Sequence, residues 1–164
     1  MSLIEPILME LSQEAETTRK MLERVPPEHL GWKPHEKSMS LARLATHIAE
    51  IPGWAPIVLQ QDAFVLSDEY TPAVAGDVAE LLEMFDKNVA AAAEAMRDQP
   101  DERLLATWQL KRGDEVLLEM PRVAAIRGLL LNHMIHHRGQ LSVYLRLKNV
   151  PLPPVYGPTA DEGI

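Results

Sequence analysis

Cysteine is absent from the 164-residue chain. That removes disulfides, thiolate metal ligands and a cysteine nucleophile together. Any metal must be held by histidine, aspartate or glutamate, and any thiol chemistry needs a thiol brought from outside. No uninterrupted apolar run of ~18 residues occurs, so nothing reads as a bilayer span. The start, Met1-Ser2-Leu3-Ile4-Glu5-Pro6, lacks the basic opening and small-residue cleavage site of a signal peptide. A cytoplasmic location is the resulting expectation. There is no dense lysine and arginine block, and the formal net charge is −8. A chain so acidic is a poor partner for nucleic acid. No internal repeat or low-complexity run is present.

What is there is helical patterning at the length of one domain spanning residues 1–164. Apolar residues make up 46% of the chain, enough for a sizeable core. Ile4, Leu8, Leu11, Ala15, Thr18, Leu22 and Val25 step by threes and fours, predicting a helix over about residues 3–25. Pro26-Pro27 stops it. Residues 28–39 are irregular, with Gly31, Trp32, Pro34, His29 and His35; histidines in such a loop face solvent. Ser40 is a good N-cap for a second helix over about 40–61, facing inward with Leu41, Leu44, Ile48, Ile51, Ala55 and Val58. Pro52 and Pro56 should bend it. Residues 62–75 read as a loop long enough to cross a bundle end. Asp77 opens a third helix, about 76–98, with Val78, Leu81, Leu82, Phe85, Val89 and Met96 inward. Residues 104–120 change period around Lys111-Arg112-Gly113-Asp114 and predict a β-hairpin. A fourth helix runs over about 121–148. The tail, 150–164, has four prolines between Pro151 and Pro158. It cannot be helix and should lie extended along the bundle, covering Leu152, Val155 and Tyr156. The expected fold is therefore all-α, a four-helix bundle with a small hairpin before the last helix.

The chemistry gathers in the fourth helix. Three of six histidines, His133, His136 and His137, fall within five residues. At ~100° per residue, His133 and His137 sit about 40° apart, in or beside the apolar arc, whereas His136 turns about 100° away. His47 falls about 40° from Ile51 on the inner edge of the second helix, next to Trp54. A lone inward histidine is ordinarily hydrogen-bonded in the core. Three, sent inward by two helices, would cost several kcal/mol to bury unpartnered. A shared divalent cation resolves that cost. Three neutral imidazoles leave its charge intact and a coordination position open, the layout of a catalytic site. The candidate ligands are His47, His133 and His137; zinc, nickel, copper or iron all suit them. Gln140, on the same face, and Glu50, a turn beyond His47, are candidates to fix the ring tautomers. Trp32, Trp54 and Trp108 either wall a pocket or fill core. No residue stands out as a general acid or base.

Trp32-Lys33-Pro34, Leu41-Ala42-Arg43-Leu44-Ala45-Thr46-His47-Ile48, His133-Met134-Ile135-His136-His137-Arg138-Gly139-Gln140 and the ending Val150-Pro151-Leu152-Pro153-Pro154-Val155-Tyr156-Gly157-Pro158 together resemble the DinB/YfiT-like superfamily, in the expected order. The histidine block and the ending are the specific parts. The resemblance implies a four-helix bundle with a long crossover, often a homodimer, and a divalent metal, nickel or zinc in many members, on three histidines that map onto His47, His133 and His137. Relatives with assigned activities are bacillithiol S-transferases and mycothiol-dependent isomerases. It therefore implies a small-molecule thiol and an electrophile as partners, transferred in a thiol S-transferase-like reaction. Metal-assisted hydrolysis, and a non-catalytic metal-binding stress protein, are the alternatives.

Overall fold

The computed structural model describes residues 2–67, 69 and 71–163. Residues 68 and 70 of the expected loop, and Ile164 of the tail, lie outside these. The chain is mostly helical with one small sheet. Helix α1 spans Ile4–Leu22. Helix α2, Leu41–Glu50, passes through a 3₁₀ turn, Ile51–Gly53, into α3, Trp54–Gln60. Helix α4 spans Val78–Met96 and a short α5 spans Asp101–Leu105. The last helical rod begins as α6, Arg122–Ala125, widens into a π-helical stretch, Ile126–Asn132, and continues as α7, His133–Leu147.

Local chemistry sets these boundaries. The Ser40 side chain accepts a hydrogen bond from the Arg43 amide at 3.2 Å, capping α2 as expected. Asp77 caps α4 by accepting from the Glu80 amide at 2.8 Å, while the Glu80 carboxylate accepts from the Gly76 amide at 2.7 Å. The bend expected from Pro52 falls at the 3₁₀ turn. There the carbonyl of Ala49 is taken up from another helix, by the Asn88 side-chain amide at 2.8 Å. A Cβ on Gly53 would stand 3.1 Å from the Asn88 Oδ1 atom, so glycine makes room for that clasp.

The core lies between these helices. Leu11 and Leu22 of α1, Leu44 and Ile48 of α2, Phe85 and Met96 of α4, and Met134, Leu141 and Leu145 of α7 are all buried in one cluster. Helix α4 packs on α1, α2 and α3, and α7 packs on α1 and α2. Two arginines are buried as well. Arg138 of α7 pairs with the Glu14 carboxylate at 2.7 Å and donates to the Glu14 carbonyl at 3.2 Å, to the Thr18 hydroxyl at 3.1 Å and to the Tyr156 hydroxyl at 2.8 Å. It thereby ties α1, α7 and the tail together. Arg122 donates to the carbonyls of Thr107 and Gln61 at 2.8 and 3.1 Å and pairs with Asp62.

Three expectations need correction. The fold is not all-α: strands β1 (Ala63–Leu66), β2 (Thr107–Arg112) and β3 (Glu115–Pro121) form a sheet in that order. The hairpin of β2 and β3 was expected. Strand β1 falls inside the stretch expected to be loop and pairs parallel to β2, Ala63 opposite Gln109 and Leu66 opposite Arg112. Four residues carry too little alternation to announce a strand whose partner is remote in sequence. Leu104 and Leu105, expected in the hairpin, belong to α5, which opens directly after Pro100, a residue that suits a helix start. Tyr156 was expected to be covered. The residue is instead 72% exposed, its hydroxyl held by Arg138 and by Glu14 at 2.9 Å and its ring beneath the Arg138 guanidinium, 5.2 Å away.

Candidate metal centre

The three histidines arrive from two elements. His47 sits in the last turn of α2, and His133 and His137 open α7, one turn apart. The packing of α2 on α7 brings the rings together. The Nε2 atoms of His47 and His133 are 3.2 Å apart, and those of His133 and His137 are 2.8 Å apart. Ligand atoms of all three lie within 4.8 Å of one another.

The other nitrogen of each ring faces outward, to an oxygen in His133 and His137 and to the Arg43–Glu50 pair in His47. His133 Nδ1 lies 3.3 Å from the Leu129 carbonyl. His137 Nδ1 lies 2.7 Å from the Gln140 side-chain oxygen. His47 Nδ1 lies 3.5 Å from the Arg43 guanidinium and 3.6 Å from the Glu50 carboxylate, and that carboxylate accepts from Arg43 at 2.9 Å. An oxygen at Nδ1 calls for the proton there. Nε2 of His133 and of His137 then presents a lone pair inward, and the two, 2.8 Å apart, cannot hydrogen-bond to each other. This is the arrangement in which an outer partner fixes the tautomer of a metal ligand. The spacing agrees: with metal–nitrogen bonds of ~2.0–2.1 Å, neighbouring nitrogens stand ~2.9 Å apart at a right angle and ~3.3 Å at the tetrahedral angle. The three residues therefore fit a divalent cation, and the group could hold one.

The π-helical stretch contributes to this. It ends immediately before His133, whose amide bonds to the carbonyl of Leu130. The Leu129 carbonyl lies 3.3 Å from the His133 ring nitrogen on the same rod. Widened turns of this kind recur at functional sites in helices.

Burial supplies the electrostatics. It pushes the His133 ring below its ordinary range, with the neighbouring His47 adding to the shift. Burial likewise takes His137 down to about 4, against the hydrogen bond it donates to the Gln140 side-chain oxygen. Both rings are neutral, and so ready to ligate, at neutral pH. For Glu50, burial raises the carboxyl, but the hydrogen bonds to His47 and Arg43 outweigh it and the net movement is downward. A negative Glu50 behind His47 makes that imidazole a stronger donor.

The surroundings open on one side. Trp54, at the start of α3, walls the cluster with ring centroids 6.1 Å from His47 and 5.3 Å from His133. A cleft of about 490 Å³ reaches from His47 and Trp54 across β1 to Arg112. Of the other expected site residues, His136 is exposed on the rim, its Nε2 3.1 Å from the Gln140 Nε2 atom. Gln140 thus touches both His136 and His137. His29 and His35 lie away from the group, and His35 accepts from the Lys37 amide. Trp108 is buried core beside the cleft, and Trp32 packs edge-on to Tyr144, 5.6 Å away.

Arg43, Arg112 and Arg138 were not singled out from the sequence. For Arg43 a signal existed: positions 43, 47 and 50 share one helical face. For Arg112, brought in by the sheet, and Arg138, whose burial depends on a glutamate in α1, no local pattern speaks.

No helix among the described residues is long and apolar enough to cross a membrane. YrdA of Bacillus subtilis (strain 168) is 26% identical over 153 residues, covering 91% of this chain and 85% of YrdA. YjoA of the same organism is 27% identical over 135 residues, covering 79% of this chain and 80% of YjoA. A crystal structure of a DinB-like protein from Bacillus cereus ATCC 10987 superposes with a TM-score of 0.70 at 25% identity, over 91% of this chain and 95% of that one. The crystal structure of YjoA also gives 0.70, at 20% identity, over 93% of this chain and 98% of that one, a likeness of fold. The family model described as the DinB family matches residues 2–163, and the chain belongs to the DinB family.

Proposed function

We propose that the protein is a metal-dependent enzyme that joins a low-molecular-weight thiol to an electrophile at His47, His133 and His137. The observation that carries this reading is three converging imidazole nitrogens beside a cleft whose lining holds no carboxylate among the described residues. A divalent cation bound there, zinc or nickel, would supply the positive charge that keeps a cosubstrate sulfur as thiolate at neutral pH.

The chain's own residues do the rest. His47, His133 and His137 act as ligands; Nδ1–H of His133 donates to the Leu129 carbonyl and that of His137 to the Gln140 side-chain oxygen, while Glu50 stands behind His47. Trp54 shields one side and narrows the approach. In the transfer the thiol proton leaves to water at the cleft mouth, the sulfur–carbon bond forms, and the leaving group departs with its bonding pair. The missing cysteine is consistent with a nucleophile that arrives with the cosubstrate. Hydrolysis is supported less well, because it needs a carboxylate base at the open side. Glu50 lies behind His47 and is occupied by Arg43. The helical packing is read here as the expected four-helix bundle, with the stretch between α3 and α4 as its long crossover.

The test is to incubate zinc- or nickel-loaded protein with a panel of small thiols and a chlorinated aromatic electrophile. Thioether formation faster than with metal-free protein is expected for at least one thiol. Equal rates with and without metal for every thiol would remove the reading.

A further inference from the structure

The cleft beside the histidines has a charge opposite to that of the molecule. The chain carries 24 acidic and 16 basic residues, yet among the described residues the cleft is lined by two arginines, Arg43 and Arg112, and by no aspartate or glutamate. The two arginines are not equivalent. Arg43 is spoken for: it donates to Glu50 at 2.9 Å and to the Ala73 carbonyl at 3.2 Å. Arg112, at the end of β2, makes no ion pair or side-chain hydrogen bond among the described residues and is exposed. It stands opposite Leu66 in the sheet, across the cleft from His47.

A second, smaller cavity of about 110 Å³ adjoins this one and shares Trp54, Phe64 and Leu66 with it. Val58, Trp108 and Leu110 help to close it, and its exposed lining is wholly apolar. It is smaller than the ~150 Å³ cavity known to admit benzene, and space for roughly four carbon atoms is what it offers.

We infer that the cleft takes a small organic anion, its carboxylate or phosphate held by Arg112 and a short aliphatic arm of about four carbons lodged in the Trp54–Leu110 cavity. This rests on the reading of the histidine cleft as a substrate site and gives one substrate its chemistry: the molecule that approaches the histidines carries a negative head and a short apolar arm. A guanidinium matches either head group with paired hydrogen bonds. The arm contributes through burial and the head through charge, so the two halves are separable by substitution.

The experiment is calorimetric titration of the protein, metal-free and zinc-loaded, with acetate, hexanoate, hexyl phosphate, hexylamine and hexanol. Hexanoate or hexyl phosphate should bind the metal-free protein at least about tenfold more tightly than hexylamine or hexanol. Whichever anion binds tighter names the head group. Arg112→Gln should remove that preference, and Arg112→Lys should keep part of it. Leu110→Phe, which fills the cavity, should weaken hexanoate towards acetate without changing the preference for anions. Zinc titration of the same variants separates the two readings. If Arg112→Gln binds hexanoate as tightly as the parent, or if anions bind only when zinc is present, the anion subsite is wrong while the metal centre stands. If zinc fails to bind but anion binding still follows Arg112, the metal centre is wrong and the subsite stands.

Discussion

His47 and His133, 86 residues apart in the chain, hold their Nε2 atoms 3.2 Å from each other. His133 has its Nδ1 set against the Leu129 carbonyl, which turns its Nε2 lone pair towards His47, and His47 is backed by the Arg43–Glu50 pair. A cation is the partner that both nitrogens lack. Several consequences can be measured.

Glu50 is the outer support of His47. Glu50→Gln should keep the fold, because the amide can still accept from His47 Nδ1, but it removes the negative charge that strengthens the imidazole. Zinc affinity should fall about 10–100-fold, read by competition with a chromophoric chelator. An unchanged affinity would show that Glu50 serves only to hold Arg43.

Acid should weaken the metal-free protein in a defined window. Burial holds His137 at about 4 in the folded chain, against an ordinary value of 6.5, and lowers His133 as well. Between those values the unfolded chain binds a proton that the folded chain refuses. Stability is therefore full above about pH 6.5 and is lost as pH falls towards 4. The lowered carboxyl of Glu50 adds its own loss from its ordinary value of 4.5 downward, at the foot of this window. Melting temperatures of parent and His137→Gln, measured from pH 7.5 to 4, check this. The parent should decline through the window and the variant decline less; parallel curves would contradict it.

Arg138 is buried with its partners in α1 and in the tail. Arg138→Met should destabilise the protein by about 3–5 kcal/mol, because Glu14 is left without its cation in a largely buried position. The double substitution with Glu14→Gln should recover part of that loss. Denaturant titration of both variants measures it, and a single variant as stable as the parent would show that the pair contributes nothing.

The sequence made the histidine trio legible for a specific reason. His133 and His137 are one turn apart on one helix, and His47 lies on the inner edge of another, so helical periodicity alone aligns them. Ser40, Pro52 and Asp77 marked helix boundaries through local chemistry, which short stretches of sequence carry. What escaped depends on remote partners. Ala63–Leu66 is a strand because β2 lies beside it, and Arg138 is buried because Glu14 waits in α1. Arg112 faces the cleft because the sheet carries it there. None of these is visible in a window of neighbouring residues.

The central claim is that His47, His133 and His137 hold one divalent ion together. Its most direct test is metal analysis of freshly purified protein, beside His133→Ala prepared identically and confirmed folded by circular dichroism. The account predicts close to one zinc or nickel per chain in the parent and a small fraction of that in the variant. A parent without metal that takes up none on titration, or a variant that keeps the full complement, would contradict it.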